Sequence, residues 1–249
     1  MGLALLRARY LEAEVRQLAL WDGGAPLGAA STAIDVATWR RRGLPTTVVT
    51  PGGERLDVAL TLPEAPASGS VSGRVICAML FADVKGFSKL TDEELPRFAE
   101  HVLAAFATVL ARHSDQILHR NTWGDALYIV FGDVAHAAEC GLELQEAMTA
   151  IDLPAVQLPE HLALRLGAHL GPVIPIVDPV LGVPAYMGSH VSRTARIEPV
   201  TPPAAVYVTE PFAAALALSG HVRLACDYVG HMPAAKDYGR LRMYRLRRS

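Results

Sequence analysis

Two aspartates stand where carboxylates do chemistry. Asp83 follows an apolar run, 75–81, and precedes the loop Lys85-Gly86-Phe87-Ser88. Asp125 sits in a tight turn, Trp123-Gly124-Asp125-Ala126. Paired carboxylates with backbone carbonyls beside them suit hard divalent cations, which also bind phosphate oxygens. Gly86, Phe87 and Ser88 lead into a predicted helix, where backbone N–H groups can cradle phosphates. Taken singly, each Asp reads as an ordinary turn or loop residue. Their convergence at one end of a sheet would give them a role.

A second constellation is Gly188-Ser189-His190-Val191-Ser192-Arg193-Thr194-Ala195-Arg196-Ile197-Glu198. As a helix it puts Ser192 and Arg196, four apart, on one face. Val191 and Ala195 then face the sheet. Arg196 offers a planar fork to a phosphate, with Ser192 beside it. His190 reads as a surface or packed histidine, and Trp123 as packing of the hairpin.

The elements that must position these residues follow from hydrophobic pattern. Residues 75–81 read as a central strand. Thr91 and Glu94 have capping-box spacing, and Phe98, Val102, Phe106 and Val109 form the stripe of the helix that follows. Residues 117–121 and 126–131 read as a strand hairpin, 134–150 as a helix, and 162–170 as an alternating strand. Strands are also expected at 205–208, 223–228 and 241–246. The order β-α-β-β-α-β within 74–170 is the ferredoxin-like split βαβ of an α+β fold, with extra C-terminal strands. Residues 1–70 read as an appendage, with a helix over 2–21 and a small hairpin at 46–49 and 56–62. It is too broken to promise a core of its own, and Ser68 to Gly73 reads as a linker. The main domain is then 71–249.

Composition excludes several classes. The 249 residues carry 23 Lys+Arg against 25 Asp+Glu, a net charge of -2, which argues against a general nucleic-acid binder. Only three of the cations are lysines: Lys85, Lys89 and Lys236. Three separated cysteines among apolar neighbours give neither a disulfide framework nor a zinc site. No stretch has the length of a membrane span or the look of a signal peptide. A cytoplasmic protein is expected.

Together the segments Phe81-Ala82-Asp83-Val84-Lys85-Gly86-Phe87-Ser88, Gly124-Asp125-Ala126 and 188–198 resemble the three signature regions of class III nucleotide cyclases. The resemblance covers about residues 74–249. It implies a homodimer of catalytic domains with active sites shared between subunits. It implies that Asp83 and Asp125 bind two Mg²⁺ or Mn²⁺ ions, with the Val84 carbonyl as accessory ligand. Arg196 matches the arginine that stabilises the transferring phosphoryl group, and Lys236 lies near a phosphate-binding lysine. Ser192 replaces an Asn that touches the ribose. The two base-reading positions are Asn121 and Ala185, which match neither the Lys-Asp pair of adenylyl enzymes nor the Glu-Cys pair of guanylyl enzymes. This pocket resembles that of the bacterial pyrimidine cyclases of anti-phage defence, whose product is read by a separate effector. A uridylate cyclase making cyclic UMP from UTP is expected. The alternatives are a cytidylate cyclase, an adenylate cyclase with an atypical pocket, and an inactive nucleotide-binding homologue.

Overall fold

The computed structural model describes residues 1–24, 31–56, 73–236 and 238–249. The chain forms two compact units, essentially Leu3–Val71 and Ser72–Ser249.

In the first unit, helix α1 (Gly2–Leu11) ends where Glu12 adopts the left-handed conformation, φ 49°. The helix expected over 2–21 therefore stops early, and Gln17–Leu20 is strand β1. Helix α2 (Thr32–Arg41) was not expected. Ser31 caps it by accepting from the Ile34 N–H at 3.4 Å. Strand β2 (Thr46–Val49) runs parallel to β1, so β1-α2-β2 is a βαβ unit. Strand β3 (Arg55–Leu56) pairs antiparallel with β2, as part of the expected hairpin. Residues 57–62 of that hairpin and most of the expected linker lie outside the described residues. Ala19, Trp21, Ala33, Val36 and Val48, with Leu56 against them, give this unit a small core after all.

The second unit is built on strands β4 (Val75–Lys85), β5 (Ile117–Trp123), β6 (Ala126–Phe131) and β7 (Ala163–Val177). Between β4 and β5 lie α3 (Leu95–Arg97), a π-helical turn (Phe98–Leu103) and α4 (Ala104–Arg112). Helix α5 (Val134–Thr149) joins β6 to β7. The sheet order β7-β4-β6-β5, antiparallel throughout, is the split βαβ arrangement. Strand β8 (Pro184–Met187) pairs with the far end of β7, and α6 (Ser189–Thr194) follows. Strands β9 (Ala205–Thr209), β10 (Leu224–Pro233) and β11 (Arg240–Arg248) extend the sheet, with helix α7 (Glu210–Ser219) between β9 and β10.

Local sequence explains these elements. Glu94 reaches back to the Thr91 N–H at 2.8 Å, one half of the capping box, while the Thr91 hydroxyl donates to the same carboxylate. Phe98, Val102, Phe106 and Val109 are all buried, as their spacing predicts. Asp133 caps α5 by accepting from the Ala135 and His136 N–H groups. Helix α7 is apolar all round and carries no amphipathic signal, which hid it from the pattern. Among the described residues no helix is long and apolar enough to cross a membrane.

Candidate active site

Asp83 and Asp125 meet, as the strand order requires. Asp83 lies near the end of β4, opposite Arg165 of β7 in register. Asp125 sits in the β5–β6 turn, and its Oδ2 accepts from the Val84 N–H at 3.1 Å. Burial, followed by the Asp83 charge and a hydrogen bond with that carboxyl, pushes the Asp125 pKa up to about 6. Two carboxyls crowded together at one end of the sheet offer concentrated negative charge to hard cations. The donor set therefore fits Mg²⁺ or Mn²⁺. Among the described residues no group of three or more His, Cys, Asp or Glu forms a further metal cluster.

Two partners of this pair escaped the sequence reading. Arg165 Nη2 donates to Asp83 Oδ2 at 2.6 Å. Its Nε stands 2.9 Å from Glu198 Oε1, an ion-pair contact without hydrogen-bond geometry. Burial lifts the Glu198 pKa to about 7; Arg165 opposes this, and Asp83 and Asp125 add to it. Arg165 is the charged residue flanked by Leu164 and Leu166 on a buried strand. That oddity was the available signal, but its partner across the sheet is set by register.

Gly86, Phe87 and Ser88 do not run into a long helix as expected. Phe87–Lys89 is a single 3-10 turn, and α3 begins only at Leu95. Gly86 has φ +96°, and a Cβ there would come within 2.7 Å of the His161 ring. Phe87 packs on Phe98, ring centroids 4.9 Å apart, which anchors this loop on the following helix.

The third motif also differs from one continuous helix. α6 ends at Thr194, and Arg196 lies in the tighter turn beyond, its N–H bonded to the Arg193 carbonyl at 3.0 Å. Thr194, not Ala195, is the fully buried residue of the inner face, with Val191 against the core. Ser192 is exposed and Arg196 half-buried. The segment sits close to the sheet because position 167 is glycine: a Cβ there would approach the Glu198 backbone nitrogen to 2.6 Å.

The β10–β11 loop comes to the same place. The Ala235 N–H donates to the Arg196 carbonyl at 3.0 Å, which seats Lys236 beside the arginine motif. Lys236 is exposed and takes the left-handed conformation, φ 56°.

Behind α6, His169 is fully buried. It bonds Thr209 Oγ1 through Nδ1 and His190 Nδ1 through Nε2, each at 2.7 Å. Burial, helped by the charges of His190 and Arg193, drives the His169 pKa down to about 3, so the ring stays neutral. His190 is thus a packed residue, as expected. Trp123 is not: it is 65% exposed and does not pack the hairpin.

Asn121 and Ala185 lie on neighbouring elements, β5 and β8. His119, two residues before Asn121, and Tyr186, next to Ala185, have ring centroids 6.1 Å apart. The Asn121 Oδ1 accepts from the Thr122 N–H at 2.8 Å.

A split βαβ sheet thus carries two neighbouring carboxylates at one end, with Arg196 and Lys236 on adjoining turns. The family model described as the adenylate and guanylate cyclase catalytic domain matches residues 73–247, and the chain belongs to this family. The family uses divalent cations in catalysis. The chain is 31% identical over 143 residues to the putative adenylate cyclase 3 of Rhizobium meliloti (strain 1021). That match takes in 55% of this chain but only 22% of the relative's length. Among solved structures, the adenylyl cyclase CyaB from P. aeruginosa superposes with a TM-score of 0.61 at 16% identity, over 71% of this chain and 95% of that one. The guanylate cyclase domain of RhGC from Catenaria anguillulae, solved with GTP, gives 0.58 at 16% identity, over 70% and 97%. These structures share the fold.

The Asp125 shift carries a testable sign. Its folded pKa is raised above the ordinary 3.8 to about 6. The stability it lends the metal-free fold is therefore present below pH 4 and lost as pH rises through about 6. Cations reverse this, since protons compete with them for the carboxyls. The stability increment from Mn²⁺ is expected to be larger at pH 7 than at pH 5. Urea unfolding with and without Mn²⁺ at both values checks it, and an equal increment contradicts the pairing.

Proposed function

We propose that the chain is a pyrimidine nucleotide cyclase that converts UTP to 3′,5′-cyclic UMP and pyrophosphate. One observation carries the base choice. Asn121, at the base-reading position, has its amide oxygen engaged by the Thr122 N–H, so the amide presents its NH₂ donors. Uracil offers carbonyl acceptors to such a donor, whereas the exocyclic amines of adenine and cytosine call for an acceptor. Ala185 adds no charge or polar atom of its own.

In this reading Asp83 and Asp125, with the Val84 carbonyl, hold two divalent cations. When bound, these supply charge neutralisation and lower the pKa of the ribose 3′-hydroxyl. The 3′-oxygen forms a bond to the α-phosphorus, the bond from that phosphorus to the β-bridging oxygen breaks, and pyrophosphate leaves. The hydroxyl proton goes to solvent. Arg196 stabilises the transferring phosphoryl group, Lys236 binds the phosphate tail, and Ser192 lies against the ribose. Gly86, Phe87 and Ser88 shape the loop beside the triphosphate. Positioning and fixed charge do most of the work.

The assembly that fits is a homodimer with shared sites. Val177, Val180, Leu181 and Met187, on and around the β7–β8 arm, are exposed apolar residues suited to a partner surface. The product would serve as a signal in anti-phage defence, read by a separate cyclic-nucleotide-binding effector, in a cytoplasmic setting.

An adenylate cyclase is the second reading, favoured by the name of the Rhizobium meliloti relative. Incubation with equimolar UTP, CTP, ATP and GTP and Mn²⁺ separates the two. Cyclic UMP is expected as the main product, and a cyclic AMP majority overturns the pyrimidine assignment.

A further inference from the structure

A cavity of about 280 Å³ opens behind α6, at the start of α7 and beside the β10–β11 hairpin. It is separate from the carboxylate pair. Asp83 is in register with Arg165, and His169, which lines the cavity, is four residues further along β7. At roughly 3.3 Å per residue that is about 13 Å along the strand.

Charge is what marks this cavity. Among the described residues Arg193, Arg240 and Arg242 line it, against the one carboxylate of Glu210. Arg242 Nη1 holds Glu210 at 3.0 Å, and its Nε donates to His231 Nε2 at 2.8 Å. Arg240 Nη2 donates to the His231 carbonyl at 2.8 Å. These bonds fix two guanidinium heads and use only some of the five donors that each carries. The third head, Arg193, lies 5.7 Å over the Tyr238 ring. Its Nε is buried and has no acceptor among the described residues. A buried charged donor without a partner is costly, and a bound anion would relieve it. The described lining therefore has two more positive charges than negative ones.

The start of α7 points the same way. Thr209 is its N-cap but makes no side-chain cap, because its hydroxyl bonds His169. Size narrows the ligand class. Pockets for drug-sized molecules run from about 300 Å³ upward, so this one suits a small anion better than a nucleotide.

We propose that this cavity is a binding site for a small doubly charged oxyanion of the phosphate type, held by Arg193, Arg240 and Arg242. Arg193 and His190 lie on α6, one residue after and two residues before Ser192. An occupied cavity braces this helix from behind, while its exposed side carries Ser192.

The test uses the full chain in EDTA, titrated calorimetrically with inorganic phosphate at constant ionic strength, with chloride as the control anion. Saturable binding is expected. Arg193→Gln and Arg240→Gln should each weaken it at least tenfold, and Arg196→Ala should leave it unchanged. Arg240 is exposed, so its variant keeps the fold, which circular dichroism verifies. No saturable heat above chloride overturns the site. So does binding that is lost in Arg196→Ala but kept in Arg193→Gln and Arg240→Gln. The measurement needs no turnover, so its outcome is independent of which nucleotide the domain cyclises.

Discussion

Asp83→Ala is expected to lower cyclase activity by at least a thousandfold while leaving the fold intact. The argument is electrostatic. The Asp83 and Asp125 carboxylates converge at the β4 end and the β5–β6 turn, and each is partly buried, while the nearby Glu198 is already paired with Arg165. Losing one removes half of the charge that holds the cations, and with it the neutralisation of the phosphoryl group. Removing a single preorganised donor from a transition state already costs about 10²–10³ in rate, and loss of metal binding costs more. Steady-state assay with Mn²⁺ and each of four nucleoside triphosphates reads this directly. Undiminished cyclic product from the variant would remove Asp83 from the metal site. The variant is expected to fold, because its main partner, Arg165, retains Glu198.

The second large effect is a rescue. Asp83→Ala and Arg196→Ala homodimers are each expected to be nearly inactive. In a two-fold dimer with shared sites, a mixed dimer has one doubly damaged site and one intact site. Random exchange of equal amounts makes about half of the dimers mixed, so about a quarter of wild-type activity should return. Mixing the purified variants, confirming exchange by differential tagging and assaying cyclic product tests it. Confirmed exchange without recovery would show that each site belongs to one chain.

Much of this architecture was legible because its signals are local. Asp83 follows an unbroken apolar strand, Thr91 and Glu94 bond each other in the turn that leads into a helix, and a two-residue turn joins 123 to 126. Those features fix four strands and two helices, and the known connection rules then bring the two aspartates together. The arginine motif was legible as a motif but not as a shape. Helical spacing placed Arg196 on α6, whereas the helix ends at Thr194, so Arg196 sits in a turn held by the Ala235 N–H. Arg165 was invisible as a partner because its pairing with Asp83 depends on the register of strands far apart in sequence. Strand β8 was hidden by Pro184, which marks an edge position rather than a central strand. Helix α2 was hidden inside a Gly-, Pro- and Thr-rich stretch, although Ser31 was a fair cap signal.

Arg165 has a consequence for the proposed dimer as a whole. It touches Asp83, assigned in the proposed function to one active site, and Glu198, the last residue of the arginine motif assigned to the other. A cation arriving at Asp83 competes with the guanidinium for that carboxylate and shifts the arginine's attraction toward Glu198. In the proposed dimer this one side chain bridges residues assigned to both sites, so filling the first is expected to alter the second. Cooperative dependence of the rate on substrate concentration is the expected sign of that connection.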